Sequence, residues 1–256
     1  MTAMTTMTTA GPFGPTQSAP PPPPPRPEPA VQSAAAAAEV PFPASAPGSV
    51  PPLLEGDRLT QAEFMRRYEA TGPVVRAQLI NGVVYMASPV LLDHSEPQSQ
   101  LGGILSRYEE ATPGVRYNIA PTSILGGSSQ PEPDLLLRIL PEFGGRSARS
   151  EKGYLVGPPE LVIEVSNTSV YVDLGPKLDD YRRAGVREYA VVVVPQGRVR
   201  FFDLADDRET APDADGLWRS RAFPGLWIDA AAAIAADQSR LLAALRAGLA
   251  SEGHAE

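Results

Sequence analysis

Cysteine is absent from this 256-residue chain, and it contains only two histidines, His94 and His254. Those shortages exclude structural disulfides, zinc–thiolate centres, thiol catalysis and multi-histidine metal sites. Any metal would be held by oxygen, which selects a hard ion such as Mg2+ or Mn2+. Positive charge is also scarce: 22 Lys and Arg stand against 30 Asp and Glu, a formal net charge of −8. Passive nucleic-acid binders rely on cations that neutralise phosphates, so the composition disfavours that class. A nuclease is less affected, because bound cations and a local groove override the global sign. No stretch approaches the roughly 20 apolar residues of a membrane helix. The opening MTAMTTMTTAG shows no basic patch followed by an apolar run, so no secretory signal is expected. The expectation is a soluble, cytoplasmic protein with no membrane partner.

Proline is in excess, at 29 residues, and the excess is concentrated before Pro52. Residues 1–52 also hold a Thr/Met-rich start, the run Pro20–Pro25 and the run Ala34–Ala38. Such sequence buries too little apolar surface to offset the entropy of ordering it. A disordered or polyproline-like arm is therefore expected, acting as a simple tether or docking in a partner's groove. Residues 53–250 have the length of one domain with its own core, and residues 251–256 read as a flexible tail.

Within the domain, Thr60 and Glu63 suggest a capping box that opens a helix near Leu59. Val74–Ile80 and Val83–Ala87 flank Asn81-Gly82, a strong hairpin signal. The spacing of Leu101, Ile104, Leu105 and Tyr108 predicts a helix over Glu96–Glu110. Strands are expected over Val115–Ala120, Asp134–Leu140 and Glu160–Ser166, with a polar loop from Phe143 to Gly157. A helix from Asp173 to Ala184 follows, stopped by Gly185. Glu188–Val194 and Arg198–Leu204 read as a second hairpin, and Asp229–Leu249 as a closing helix. Strands and helices mix without strict alternation, which points to an α/β or α+β fold with a mixed sheet.

The strand PELVIEVSN (Pro159–Asn167) carries the strongest chemical signal. Alternation puts Leu161, Ile163 and Val165 on one face and Glu160, Val162, Glu164 and Ser166 on the other. A carboxylate at Glu164, flanked by apolar residues, needs a cation, a donor network or a metal. Arg182 or Arg183 could pair with it in a purely structural role. Asp134 heads the run PDLLLRI, although alone it could equally be a solvent-facing residue at a strand entry. Lys177 falls on the stripe Leu174, Lys177, Leu178, Tyr181, so it points inward near a helix start where an anionic ligand is favoured. Two carboxylates and a lysine on neighbouring elements suggest metal-assisted phosphodiester chemistry.

At these residues the chain resembles the Uma-two family of restriction endonucleases, within the PD-(D/E)XK nuclease superfamily. The blocks that carry the likeness are QLINGVVYMASP (Gln78–Pro89), His94 before a helix, PEPDLLLRI (Pro131–Ile139) and PELVIEVSNTS (Pro159–Ser169). DLGPKLDDYRRAGVREYAVV (Asp173–Val192) and FPGLWID (Phe223–Asp229) complete them. The resemblance implies a restriction-endonuclease-like central mixed sheet flanked by helices. It implies Asp134 and Glu164 as acids holding one Mg2+ or Mn2+ together with the Val165 carbonyl. The superfamily lysine usually follows the second acid by two residues, where this chain has Ser166, so Lys177 stands for a lysine moved onto the adjacent helix. His94 and Gln78 are implied as auxiliary residues of the cleft. Gln78 departs from the acidic residue that relatives commonly carry, and it brings no charge to a metal. The activity implied is metal-dependent hydrolysis of DNA phosphodiester bonds, with DNA as partner; a homodimer is compatible with an enzyme that cuts both strands. The alternative is a nuclease-fold protein that binds nucleic acid or protein without cutting.

Overall fold

The computed structural model describes residues 49–72 and 75–255. The Pro-rich arm expected over residues 1–52 lies outside them as far as residue 48. Thr60 opens helix α1 (Gln61–Thr71) by accepting the Glu63 N–H at 3.3 Å. The capping box is only half made, because the Glu63 carboxylate turns to Arg66 and Arg67 instead. Strands β1 (Ala77–Ile80) and β2 (Val83–Met86) pair around Asn81-Gly82, whose φ values of 49° and 76° suit the tight two-residue turn expected there. The strand expected from Val74 begins at Ala77, and residue 74 lies outside the described residues. Phe64 packs with Leu53, Leu79 and Val84 in one buried cluster.

Helix α2 (Leu92–Ala111) starts four residues before Glu96 and contains Pro97 in its interior. Its stripe of Leu101, Ile104, Leu105 and Tyr108 is buried, as the spacing predicts. Strand β3 (Val115–Ile119) and the short β4 (Ser123–Ile124) precede β5 (Leu135–Ile139). The segment expected as a polar loop holds β6 (Ala148–Arg149) and β7 (Leu155–Val156), which join β4 in a small three-stranded sheet. Strands β8 (Leu161–Ser166), β9 (Glu188–Val193), β10 (Arg198–Asp203) and β11 (Arg208–Thr210) complete the main sheet, in the order β11-β10-β9-β8-β5-β3. The sheet is mixed: β8 pairs antiparallel with β5 and parallel with β9.

Parallel neighbours cannot be joined by a hairpin, and the crossover from β8 to β9 runs through α3 (Val170–Asp173) and α4 (Pro176–Ala184). One helix was expected from Asp173 to Ala184. It breaks at Leu174-Gly175 because Pro176 has no N–H to continue the ladder and instead takes the first position of α4. Gly185 ends α4 at φ 85°, as the sequence indicates.

The hairpin of β12 (Leu217–Arg219) and β13 (Trp227–Asp229) leads into α5 (Ala230–Ile234) and α6 (Gln238–Leu249). A single helix was expected there. Ala236 takes a left-handed φ of 50°, and Asp237 caps α6 by accepting the Arg240 N–H at 3.1 Å. The last residues were expected as a flexible tail but form α7 (Glu252–Ala255), with the His254 ring 5.8 Å from that of Tyr108.

The β8 alternation sets the two layers of the core. Leu161, Ile163 and Val165 pack with residues of α2, α5 and α6. Val162 lies on the other face, with Tyr181 and Leu178 of α4. Glu164 shares that second face, and α4 is the crossover helix that covers it.

Candidate active site

The strand register brings the two acids together. Leu135 pairs with Ile163, and one further step along the antiparallel pair sets Asp134 opposite Glu164. The Asp134 N–H donates to Glu164 Oε2 at 3.3 Å, and the Val165 N–H donates to Asp134 Oδ2 at 2.7 Å. Each acid therefore holds the other's strand end through a backbone donor.

Lys177 reaches the same point from α4. Its Nζ lies 2.8 Å from Glu164 Oε1 and 3.3 Å from Asp173 Oδ1. One turn further along α4, the Tyr181 hydroxyl donates to Glu164 Oε1 at 2.8 Å. Glu164 and Lys177 are each 3% exposed, so this is a buried cluster rather than a surface ion pair. Burial pushes the Glu164 carboxyl up to about 8; Lys177 opposes that push, while Asp134 and Asp173 add to it. Burial alone would lower the Lys177 ammonium. The carboxylates of Glu164 and Asp173 outweigh it and hold the lysine above its ordinary range. Arg182 and Arg183, the other partners considered for Glu164, pair instead with Asp179 and Asp207, and with Asp180.

His94 sits inside the first turn of α2 rather than ahead of the helix, with Nε2 3.2 Å from Asp134 Oδ1. That hydrogen bond raises the imidazole above its ordinary 6.5, and the charges of Glu164 and Asp173 add to the effect against burial. Gln78 reaches the site from β1, where its Oε1 accepts the Glu132 N–H at 3.3 Å. All five residues singled out in the sequence line one cleft of about 400 Å3.

Three residues of the cluster escaped the sequence reading as site residues. Tyr181 stands four residues after Lys177, the spacing at which side chains of one helix meet, whereas Asp173 lies across the break between α3 and α4 and meets Lys177 through the fold. Glu132 lies two residues before Asp134 in the same block and borders the cleft, tied to Arg76 at 3.0 Å and to the Tyr68 hydroxyl at 2.9 Å.

The donor set suits a hard divalent ion. Among the described residues, no three His, Asp or Glu side chains gather closely enough to enclose a metal by themselves. Mg2+ does not need such a cage, since it takes one or two carboxylates and keeps several waters. Asp134 and Glu164 supply two carboxylates at the edge of a cleft with room for water.

Residues 62–232 match a family described as "Uma2: Putative restriction endonuclease". The chain belongs to the Uma2 family. The matched span runs from α1 into α5, so every residue of the cluster falls within the Uma2 region. A solved structure, a putative nuclease belonging to DUF820 from Anabaena variabilis, superposes with a TM-score of 0.53 at 15% sequence identity. The superposition covers 64% of this chain and 90% of that one, and at this identity it shows a shared fold. No curated protein matches the chain.

Proposed function

We propose that this Uma2 protein is a divalent-metal-dependent endonuclease that hydrolyses phosphodiester bonds in DNA. The observation that carries the reading is the meeting of Asp134, Glu164 and Lys177, from three separate elements, at one cleft. The family description and the nuclease-like fold support the same class. Asp134 and Glu164 would hold the ion, aided by the Val165 carbonyl, and Mg2+ or Mn2+ fits their oxygen donors. When bound, such an ion neutralises phosphate charge and activates water for attack.

Lys177 has a defined part in this reading. Its raised pKa keeps it protonated at neutral pH, so it donates hydrogen bonds and positive charge rather than accepting a proton. In a buried site such a donor stabilises charge developing on the phosphoryl oxygens more strongly than it would in water. Tyr181 and Asp173 hold Lys177 and Glu164 in register. His94 fixes the Asp134 carboxylate, and Gln78 lines the wall against which phosphate or water is positioned.

The test is cleavage of plasmid and oligonucleotide DNA by the full chain in Mg2+ and in Mn2+. Asp134→Asn and Glu164→Gln are each expected to lower the rate by on the order of 100-fold or more, with circular dichroism unchanged. Unaltered cleavage by both variants would falsify the assignment. A second reading, a nuclease fold that binds without cutting, draws on Gln78, which is neutral where an acid would strengthen metal binding. Metal and DNA binding by the wild type with no cleavage in either ion would establish that reading instead.

A further inference from the structure

The charge balance of the cleft is unlike that of a surface built to grip a phosphate backbone. Its acids are Glu55, Glu132, Asp134, Glu164 and Asp173, against the bases Arg76, His94 and Lys177. Each base already faces a carboxylate: Arg76 meets Glu132 at 3.0 Å, His94 meets Asp134 at 3.2 Å, and Lys177 meets Glu164 at 2.8 Å. Backbone neutralisation normally supplies nearly all nonspecific affinity for nucleic acid. Here the lining side chains leave no cation in excess for it.

The rim is different. Val90, Leu91 and Leu92 are three consecutive large apolar side chains, 59%, 56% and 72% exposed, just ahead of His94. Val90 and Leu91 line the cleft. Tyr171, 85% exposed, stands on the single turn α3, between Ser169 and Val172, which line the cleft. Tyr171 and Leu92 are the two most exposed large apolar side chains among the described residues. Scattered exposed leucines need no explanation, but a run of three that enters an acidic cleft, with an exposed tyrosine on a turn that contributes to the same cleft, does.

We propose that this rim binds unpaired bases, so that the cleft takes single-stranded DNA, with Tyr171 stacking on a base beside the scissile phosphate and Leu91 and Leu92 packing against its neighbour. The inference rests on the nuclease reading and adds the form of the substrate. A duplex hides the faces of its bases, whereas a single strand offers π-faces that aromatic side chains engage with little regard to sequence. A second copy of this chain is a poorer occupant, because a symmetric contact over this cleft would set one acidic floor against another.

The test is fluorescence anisotropy of a labelled single-stranded oligonucleotide, and of its duplex, with the full chain in Ca2+ to hold back cleavage. The single strand is expected to bind at least about tenfold more tightly than the duplex, with Tyr171→Ala weakening it roughly 5- to 100-fold and Tyr171→Phe retaining it. A shallow dependence on salt is also expected, since few counterions are released. Duplex binding as tight as single-strand binding, or Tyr171→Ala within about twofold of wild type, overturns the proposal. So does a Tyr171→Ala change that converts dimer to monomer in sedimentation without altering oligonucleotide binding. A wild type that cuts duplex DNA while Tyr171→Ala cuts equally well defeats this inference alone. Tight, Tyr171-dependent binding of the single strand with no cleavage in Mg2+ or Mn2+ defeats the catalytic reading and leaves the base-binding rim standing.

Discussion

Lys177 and Glu164 meet at 2.8 Å with both side chains sealed from solvent, and Asp173 closes on the same ammonium from 3.3 Å. Once Glu164 has lost its proton, above about pH 8, one cation offsets two buried carboxylates. Taking charges out of water costs several kcal/mol per ion, and the arrangement tolerates that cost only while the partners remain. Lys177→Met is expected to destabilise the fold by about 3–5 kcal/mol, read by urea denaturation, and to abolish cleavage. Adding Glu164→Gln to that variant removes one stranded charge and should recover part of the stability without recovering activity. A double variant that still cut DNA would reduce the cluster to a structural ion pair.

If Glu164 holds the ion as proposed, metal binding should depend on pH, because proton and cation would then compete for its carboxylate. Its folded value of about 8 lies above the ordinary 4.5, so the native state keeps this proton to higher pH than the unfolded chain does. The stabilisation from that proton is complete below 4.5 and is lost as pH rises through about 8. Binding a cation releases the proton, so Mn2+ affinity should climb with pH by up to about tenfold per unit and level off above it. Calorimetric titration of Mn2+ at several pH values reads the slope, and a flat profile would mean that Glu164 is not a ligand.

On the proposed reading, His94 would act on the metal site through Asp134, which its ring meets at 3.2 Å, rather than by direct approach. Partners that orient a ligating carboxylate typically contribute about 10- to 100-fold in metal affinity or activity, and His94→Ala is expected to lose that much. Its pKa is held above 6.5 by the Asp134 hydrogen bond, so its contribution to stability is full below 6.5 and fades as pH rises through the folded value. Thermal unfolding of wild type and His94→Ala should differ more below that pH than well above it. Equal differences at both ends would place the charge of His94 outside the cluster.

The parts of this site legible in the sequence were those governed by local rules. Alternation along β8 separated Glu164 from Ile163 and Val165, and helical spacing turned Lys177 and Tyr181 to the same side. Local rules could not say that Lys177, rather than Arg182 or Arg183, would reach Glu164. That choice depends on how α4 lies across the sheet after the parallel crossover. The break between α3 and α4 was signalled by Gly175-Pro176, yet its effect, which brings Asp173 onto Lys177, is tertiary. The same holds for α5 and α6, where composition favours one helix and a left-handed Ala236 divides it. The pairing of Glu132 with Arg76 joins residues 56 apart in the chain, beyond any short pattern.

Gln78 offers a way to change the charge of the cleft without disturbing its frame. Its Oε1 accepts the Glu132 N–H at 3.3 Å, a bond that a glutamate oxygen accepts equally well. Gln78→Glu would therefore keep the backbone contact and add a negative charge to a wall that already holds Glu132. Without metal, the added repulsion should lower stability near neutral pH, by about 1 kcal/mol or less for partly solvated groups. With Mn2+ present the sign reverses, because a third carboxylate strengthens oxygen coordination and the metal stabilises the state that binds it. The expected signature is a lower melting temperature in chelator, a larger gain on adding Mn2+ than wild type shows, and faster cleavage. A variant whose Mn2+ response matches wild type would place the Gln78 side chain beyond reach of the ion, and its neutrality would then have no bearing on catalysis.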